Sequence, residues 1–510
     1  MFRKYLSVFL AFLVSVGPFQ PVLLYASSDI NPAFQEVEAN LDEGGDSYFY
    51  MNVRGSLRAV MDRVRACFRE AGPEIQMGFT SADRIFNLMG LYNVEDIGSS
   101  SIRVGDHYRS KSFLRIPGEK KGLFRVFGGE AHSFASVKYA PPETAFFVSS
   151  DFNATVLFEL IREAAFDLGG QQATIKVDAG LDNFNEMLKA RGIENADART
   201  LMNSLGREFA LICDIDPKSR INIPLPASSS PLNLPFPRFA LLLPVKDAAL
   251  YDVLSSFLKQ SGVQEISEGE WKKIFIPVPP NPVYPVQPVL AFDGSYVILS
   301  THGVFLQTMI DVKKSGKGLS REKEYAKLLE GLPEKGNSMI YMSREGLEKL
   351  VKIGEEIEKL TEGIKGSSNP FDFMKFDETM TMGMAAVRTT LPNGIIEAAN
   401  SQSGGAAGLS FVTATAVMGI MSAIAVPGFL RARTQARLRA CQENLSRLDG
   451  AKEQWALEHR KKNGDTVNMS DLVGPDLYLR REPVCPRGGT YTLGKIGEDP
   501  TCSCGARLPY

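Results

Sequence analysis

Apolar and aromatic runs that alternate like strands, then switch to helical spacing within a few residues, recur along this chain. Tyr48-Phe49-Tyr50-Met51-Asn52-Val53 reads as a strand and leads into Leu57, Val60, Met61 and Val64 at three- and four-residue steps. Thr144 to Val148 leads likewise into Val156, Leu157, Leu160 and Ile161. Phe239 to Val245 precedes Leu250, Val253, Leu254 and Phe257, and Ser338 to Met342 precedes Leu347, Leu350, Val351 and Ile353. A period near 2 giving way to 3.6 marks a strand–turn–helix unit. The irregular spacing of these units points to diverged repeats rather than a solenoid. Between them, Phe113 to Ile116 and Leu123 to Phe127 flank a turn-rich Pro117 to Gly122, and Thr379 to Thr390 and Ile395-Ile396 flank Pro392-Asn393-Gly394. Both read as hairpins. The expected class is α+β and multi-domain, with repeated strand–helix units and a largely antiparallel sheet.

Two proline-rich stretches, Pro217 to Pro237 and Pro277 to Pro288, interrupt the pattern. Proline fixes φ and removes a donor, so both are expected to be exposed extended loops and not central strands. Arg344 to Lys365 reads as a charged amphipathic helix over the core.

Two segments change the picture from a globular protein to one attached to a membrane. At the start, Arg3 and Lys4 precede an uncharged run from Tyr5 to Val16, then Pro18, Pro21 and Ala26-Ser27-Ser28. A positive region, a short apolar core and a small-residue exit form a secretory signal pattern, assigned here to residues 1–28. Further on, no charged residue lies between Glu397 and Arg431, and Gly408 to Leu430 is almost wholly apolar. As a helix that run would extend about 35 Å, enough to span a bilayer. Arg431, Arg433, Arg437 and Arg439 follow it as a membrane-flanking basic cluster suited to anionic headgroups rather than nucleic acid. Leu438, Cys441, Leu445, Leu448 and Trp455 then continue an amphipathic helix. The resulting division is a signal peptide, an exported α+β region at 29–400, a transmembrane helix at 401–430, and a helix with a small cap at 431–510.

Gly419 to Arg433, Cys441 to Leu445, Asp449 to Glu458, Cys485 to Gly494 and Pro500-Thr501-Cys502 together resemble the type IV pilin and type II secretion pseudopilin family. The resemblance implies a long helix, a small β cap and partners among pseudopilin or secretion-system components. With Ser410 at the family's early acidic position, it implies a pilin module reused as a membrane anchor with a small folded head. The middle region weakly resembles the DUF3352 type of bacterial envelope protein, through Pro141-Pro142-Glu143-Thr144-Ala145, Lys246-Asp247-Ala248-Ala249 and a strand at Phe292 to Ser300. That resemblance implies a fold type and no activity. Together these readings place the chain in a bacterial inner membrane with its main region exported.

The chain is 510 residues long with a net charge of −2, so nothing global draws it to nucleic acid. Of six cysteines, Cys67 and Cys213 stand alone while Cys441, Cys485, Cys502 and Cys504 crowd the C-terminal region. In an exported pilin-like head, Cys485 and Cys502, which fall within the family motif, are the candidate disulfide. In a cytoplasmic head, Cys485, Cys502 and Cys504 would stay reduced and could ligate zinc, although paired C-x-x-C knuckles are absent. The four histidines, His107, His132, His302 and His459, form no metal motif. No nucleophile elbow, Walker sequence or dinucleotide fingerprint is present, and no cofactor is implied. The expected function is non-enzymatic: a membrane-anchored envelope protein with a structural or interaction role, or an exported binding protein that uses the pilin-type helix only as an anchor.

Overall fold

All four strand–helix switches are present in the computed structural model, which describes residues 31–67, 73–194, 196–223, 232–278, 286–349, 352, 383–402, 438, 440–475, 477–485 and 488–508. β1 (Ser47–Asn52) runs into the helix Ser56–Cys67, and β4 (Phe146–Asp151) into Ala154–Lys189, two helices that meet at a non-helical break at Gly170 and are joined by the Arg162–Asp178 ion pair. β6 (Leu232–Pro244) runs into the helix Ala249–Lys259, and β11 (Ser338–Met342) into a helix over residues 344–349. Short polar side chains mark three of the helix starts. Asn153 Oδ1 accepts from the Val156 N–H, Asp247 Oδ1 from Ala249, and Ser343 Oγ from Gly346. Such caps satisfy backbone donors that the first helical turn leaves open.

The other strands are β2 (Asp96–Val104), β3 (His107–Arg115), β5 (Glu208–Ile223), β7 (Ile266–Glu268), β8 (Trp271–Phe275), β9 (Val289–Phe292), β10 (Tyr296–Ser300), β12 (Met384–Leu391) and β13 (Gly394–Ser401). All thirteen join one sheet in the order β1-β2-β3-β13-β12-β11-β4-β5-β6-β10-β9-β8-β7, and every pairing is antiparallel. The fold class is therefore α+β with a large antiparallel sheet. The order exposes the repeat. β1-β2-β3 and β4-β5-β6 are each a strand, a helical excursion and a two-stranded return, and β11-β12-β13 has the same order of pairing, with a helix over residues 344–349 after its first strand. These trios meet through like members, last strand to last strand at β3·β13 and first to first at β4·β11. A meander, β7 to β10, closes back on β6.

Side-chain alternation divides the core between the two faces. Phe147, Ile212, Leu242, Ala291 and Ile298 pack with Phe305, Leu306, Met309 and Ile310 of the helix Gly303–Ser315. Leu290, Phe292 and Val297 face the opposite way, where Tyr251 of the helix Ala249–Lys259 stacks on Phe292 at 5.1 Å. β4 and β11 are buried at every position, as strands covered on both faces must be.

Several expectations need correction. Leu123–Val126 is a one-turn helix, not a hairpin strand; β3 pairs instead with β2 and β13. Phe292 to Ser300 is a β9–β10 hairpin turning at Gly294, whose φ of 87° suits glycine. The hairpin at Pro392-Asn393 is formed, with Leu391 opposite Gly394. Pro217, Pro235 and Pro237 lie inside strands. The register shifts between Ile215 and Arg220, which absorbs Pro217. Pro235 and Pro237 precede the Ala240–Pro244 stretch that pairs with β10, so β6 has only β5 beside it there. A proline in that position costs the second ladder no donor.

Among the described residues no helix is long and apolar enough to cross a membrane. The signal segment at 1–28, residues 403–430 of the expected span, and residues 353–365 of the expected charged helix lie outside the described residues. Ser401, placed at the start of that span by the sequence, is the last residue of β13 and pairs with Tyr108.

Two compact units divide the chain, Met1–Phe411 and Val412–Tyr510. In the second, a helix runs over residues 440–458 and a two-stranded ribbon joins β14 (Tyr491–Thr492) to β15 (Thr501–Cys502). Leu448, Ala451, Trp455 and Ala456 of the helix pack on Val467, Leu472, Leu493 and Ile496. Lys452 lies in this interior, 1% exposed, donating to the carbonyl oxygens of Leu493 and Glu498.

Candidate metal centre

Cys441 sits at the start of the same buried stripe, one turn before Leu445. Its helical register points it at the far end of the ribbon. Cys485 precedes a tight turn in which its carbonyl accepts from the Gly488 N–H at 2.9 Å. Cys502 closes β15, and its carbonyl accepts from Gly505, whose φ is 84°. Cys504 lies inside that second turn. Gly489 allows the two turns to approach, because a Cβ there would stand 2.8 Å from both Cys502 Sγ and the Cys504 nitrogen.

These elements bring four sulfurs together, all within 4.8 Å of one another. Cys441 Sγ is 3.5 Å from Cys504 Sγ and 3.6 Å from Cys485 Sγ. No S–S bond joins any of the four. Cys441, Cys485 and Cys502 are buried and Cys504 is half-buried. Burial raises the pKa of Cys441 and Cys502. Two donors favour the thiolate forms: the Tyr491 hydroxyl, 3.5 Å from Cys441 Sγ, and the Cys504 backbone N–H toward Cys502. Asn444 Nδ2 donates to Tyr491 Oη at 3.0 Å and to the Val484 carbonyl at 3.2 Å, fixing the phenol.

The candidate disulfide partners Cys485 and Cys502 are thus neighbours, but within a four-thiol cluster and without a bond between them. Sequence reasoning left Cys441 out because it is 44 positions before Cys485. The helical stripe was the available signal, since it placed Cys441 on the same face as Leu445 and Leu448. The basic cluster Arg431, Arg433, Arg437 and Arg439 lies outside the described residues.

The histidines occupy separate settings. His107 faces Asp106, His302 contacts Thr301 beside the helix Gly303–Ser315, and His459 stacks on Trp455. His132 belongs to a polar cluster that sequence gave no sign of. Register sets Asp151 on β4 opposite Glu208 on β5, both buried. His132 Nε2 is 2.6 Å from Asp151 Oδ1, and Asn337 Nδ2 donates to Asp151 Oδ2 at 2.8 Å. Glu208 accepts from the Ser149 and Ser136 hydroxyls and from the Ala135 and Ser136 N–H groups. A carboxylate so fully hydrogen-bonded is held in place. Cys213 is buried, and desolvation raises its pKa far above the ordinary thiol range, as expected of an inert core cysteine.

No family model, curated protein or solved structure matches this chain.

Proposed function

We propose that this chain is a non-enzymatic, membrane-anchored protein of the bacterial cell envelope, with a structural or interaction role linked to type II secretion or pilus-like machinery. The observation that carries the reading is the C-terminal unit. It is separate and compact, and consists of a helix whose apolar stripe packs on a small ribbon cap, the build that the pilin resemblance implies. The apolar segment before it supplies the anchor. Exposed Ile161, Phe166 and Leu168 before the Gly170 break, and Ile175 after it, in the helices of Ala154–Lys189 suit contact with other macromolecules better than catalysis.

A second reading is an exported binding protein that uses the pilin-type helix only as its anchor. The gathering of four cysteine sulfurs into one cluster favours it, because a thiolate set spaced for a metal ion needs the reduced state. The head would then lie in the cytoplasm, where the four arginines also satisfy the positive-inside rule.

Paired reporter fusions test both, one reporter active only when exported and one only in the cytoplasm, joined after Ser401 or after Tyr510. One expected span separates the two junctions, so they report opposite sides. The tail-anchored reading requires an exported Ser401 and the pseudopilin-linked reading a cytoplasmic one. Two junctions on the same side would overturn the span that both readings share. At Tyr510, an exported junction selects the pseudopilin-linked role and a cytoplasmic junction selects the tail-anchored binding protein.

A further inference from the structure

We propose that Cys441, Cys485, Cys502 and Cys504 bind one Zn2+ ion as a closed structural tetrathiolate centre. A zinc–sulfur bond of about 2.3 Å in a tetrahedron places ligand sulfurs about 3.8 Å apart. The separations of 3.5 and 3.6 Å from Cys441 lie close to that value, and the remaining pairs fall within 4.8 Å. A disulfide needs about 2.05 Å, so the cluster is spaced as the corners of a coordination shell. The ligand chemistry points the same way. Four soft sulfurs in a tetrahedral set favour zinc over hard cations. Four sulfur ligands leave no open coordination position, which makes the centre structural. The outer shell is built as well: Tyr491 and the Cys504 N–H donate to ligand sulfurs, and Asn444 orients Tyr491.

The fold supplies a reason for the ion. Among the described residues, regular structure in the cap amounts to two short strands and the one-turn helix Met469–Leu472. Small units of this kind often depend on a staple. Cys441 is 44 positions from Cys485 and 63 from Cys504. One ion therefore ties the helix to both turns of the cap. This inference is argued only from the geometry of the C-terminal unit, and the reporter fusions and the metal test are separate measurements.

The test uses full-length protein in detergent, purified without added chelator. Elemental analysis is expected to find about one zinc per chain, with the four cysteines resisting alkylation until chelator and denaturant are added together. Cobalt exchanged for zinc is expected to give thiolate charge-transfer bands and intense tetrahedral ligand-field bands. Cys504→Ser changes the half-buried ligand and is expected to weaken zinc at least about tenfold in chelator competition, as loss of a ligand should exceed loss of an outer-shell partner. Should that variant fail to fold, Tyr491→Phe gives the same readout, with an expected weakening of about tenfold. Iron as the bound metal, two disulfides in non-reducing peptide maps, or metal-free protein with four reactive thiols would each overturn the proposal.

Discussion

Asp151 and Glu208 face one another across β4 and β5 as buried acids, and like charges directly opposite in a ladder repel. His132 relieves the conflict. Its Nε2 lies 2.6 Å from Asp151 and its Nδ1 4.0 Å from Glu208. The hydrogen bond to Asp151, outweighing desolvation, raises the pKa of His132 from 6.5 to about 9. A group whose folded pKa lies above its unfolded value adds stability that is complete below the unfolded pKa. That stability is lost as pH rises through the folded pKa, here between about 6.5 and about 9. The separation corresponds to at most about 3 kcal/mol. With the imidazole 30% exposed, solvent screening reduces this to about 2 kcal/mol.

The chain has two tryptophans, so Trp455→Phe leaves Trp271, 1% exposed in the same core as Phe147 of β4, as the reporter of the sheet. Urea unfolding followed by Trp271 fluorescence would compare this background with and without His132→Gln. Near pH 6.5 the glutamine variant is expected to be about 2 kcal/mol less stable, and above about pH 9 the two curves are expected to converge. A gap that stays constant from neutral to alkaline pH, or that widens, would refute the reasoning.

Lys452→Met keeps the length of the side chain but leaves the Leu493 and Glu498 carbonyls without their donor. The expected loss is about 3 kcal/mol in the C-terminal unit, read from Trp455 fluorescence in a Trp271→Phe background; an unchanged midpoint would contradict it. Gly98→Ala would set a Cβ 2.3 Å from Val37 Cγ1 and 2.8 Å from Leu41 Cδ1, an overpacking cost of about 1–3 kcal/mol. Amide exchange should then accelerate through the helix Pro32–Glu38, and unchanged exchange would show that the contact yields.

The strand–helix units were legible because their signal is local. Tyr48 to Val53 and Ser338 to Met342 carry the strand period, and helical spacing begins within a few residues. The arrangement of the units was not legible. Nothing near β4 records that it pairs with β11, almost two hundred positions later, since that pairing joins the edge strands of two units far apart in the chain. Proline misled for a related reason. The rule against proline in central strands concerns a particular ladder position. Pro235 and Pro237 sit where β6 lacks its second neighbour, a fact of tertiary order that composition does not record. His132 was invisible in the same way, because its partners are set opposite by register.

The cysteines carry this argument to the membrane. Spacing suggests pairs, and pairs suggest a disulfide in an exported head. Cys441 changes that count, because its helix places a fourth sulfur 3.5 Å from Cys504 and 3.6 Å from Cys485. A disulfide consumes two thiols and suits an oxidising compartment, whereas a tetrathiolate needs four reduced sulfurs and suits the cytoplasm. The arginines at 431, 433, 437 and 439 favour the same side by a separate rule about loop charge. Metal content and topology are therefore linked predictions with independent assays. Zinc together with a cytoplasmic C-terminus would make the pilin-like segment an anchor whose folded head never leaves the cell. Disulfides together with an exported C-terminus would restore the pseudopilin-linked role.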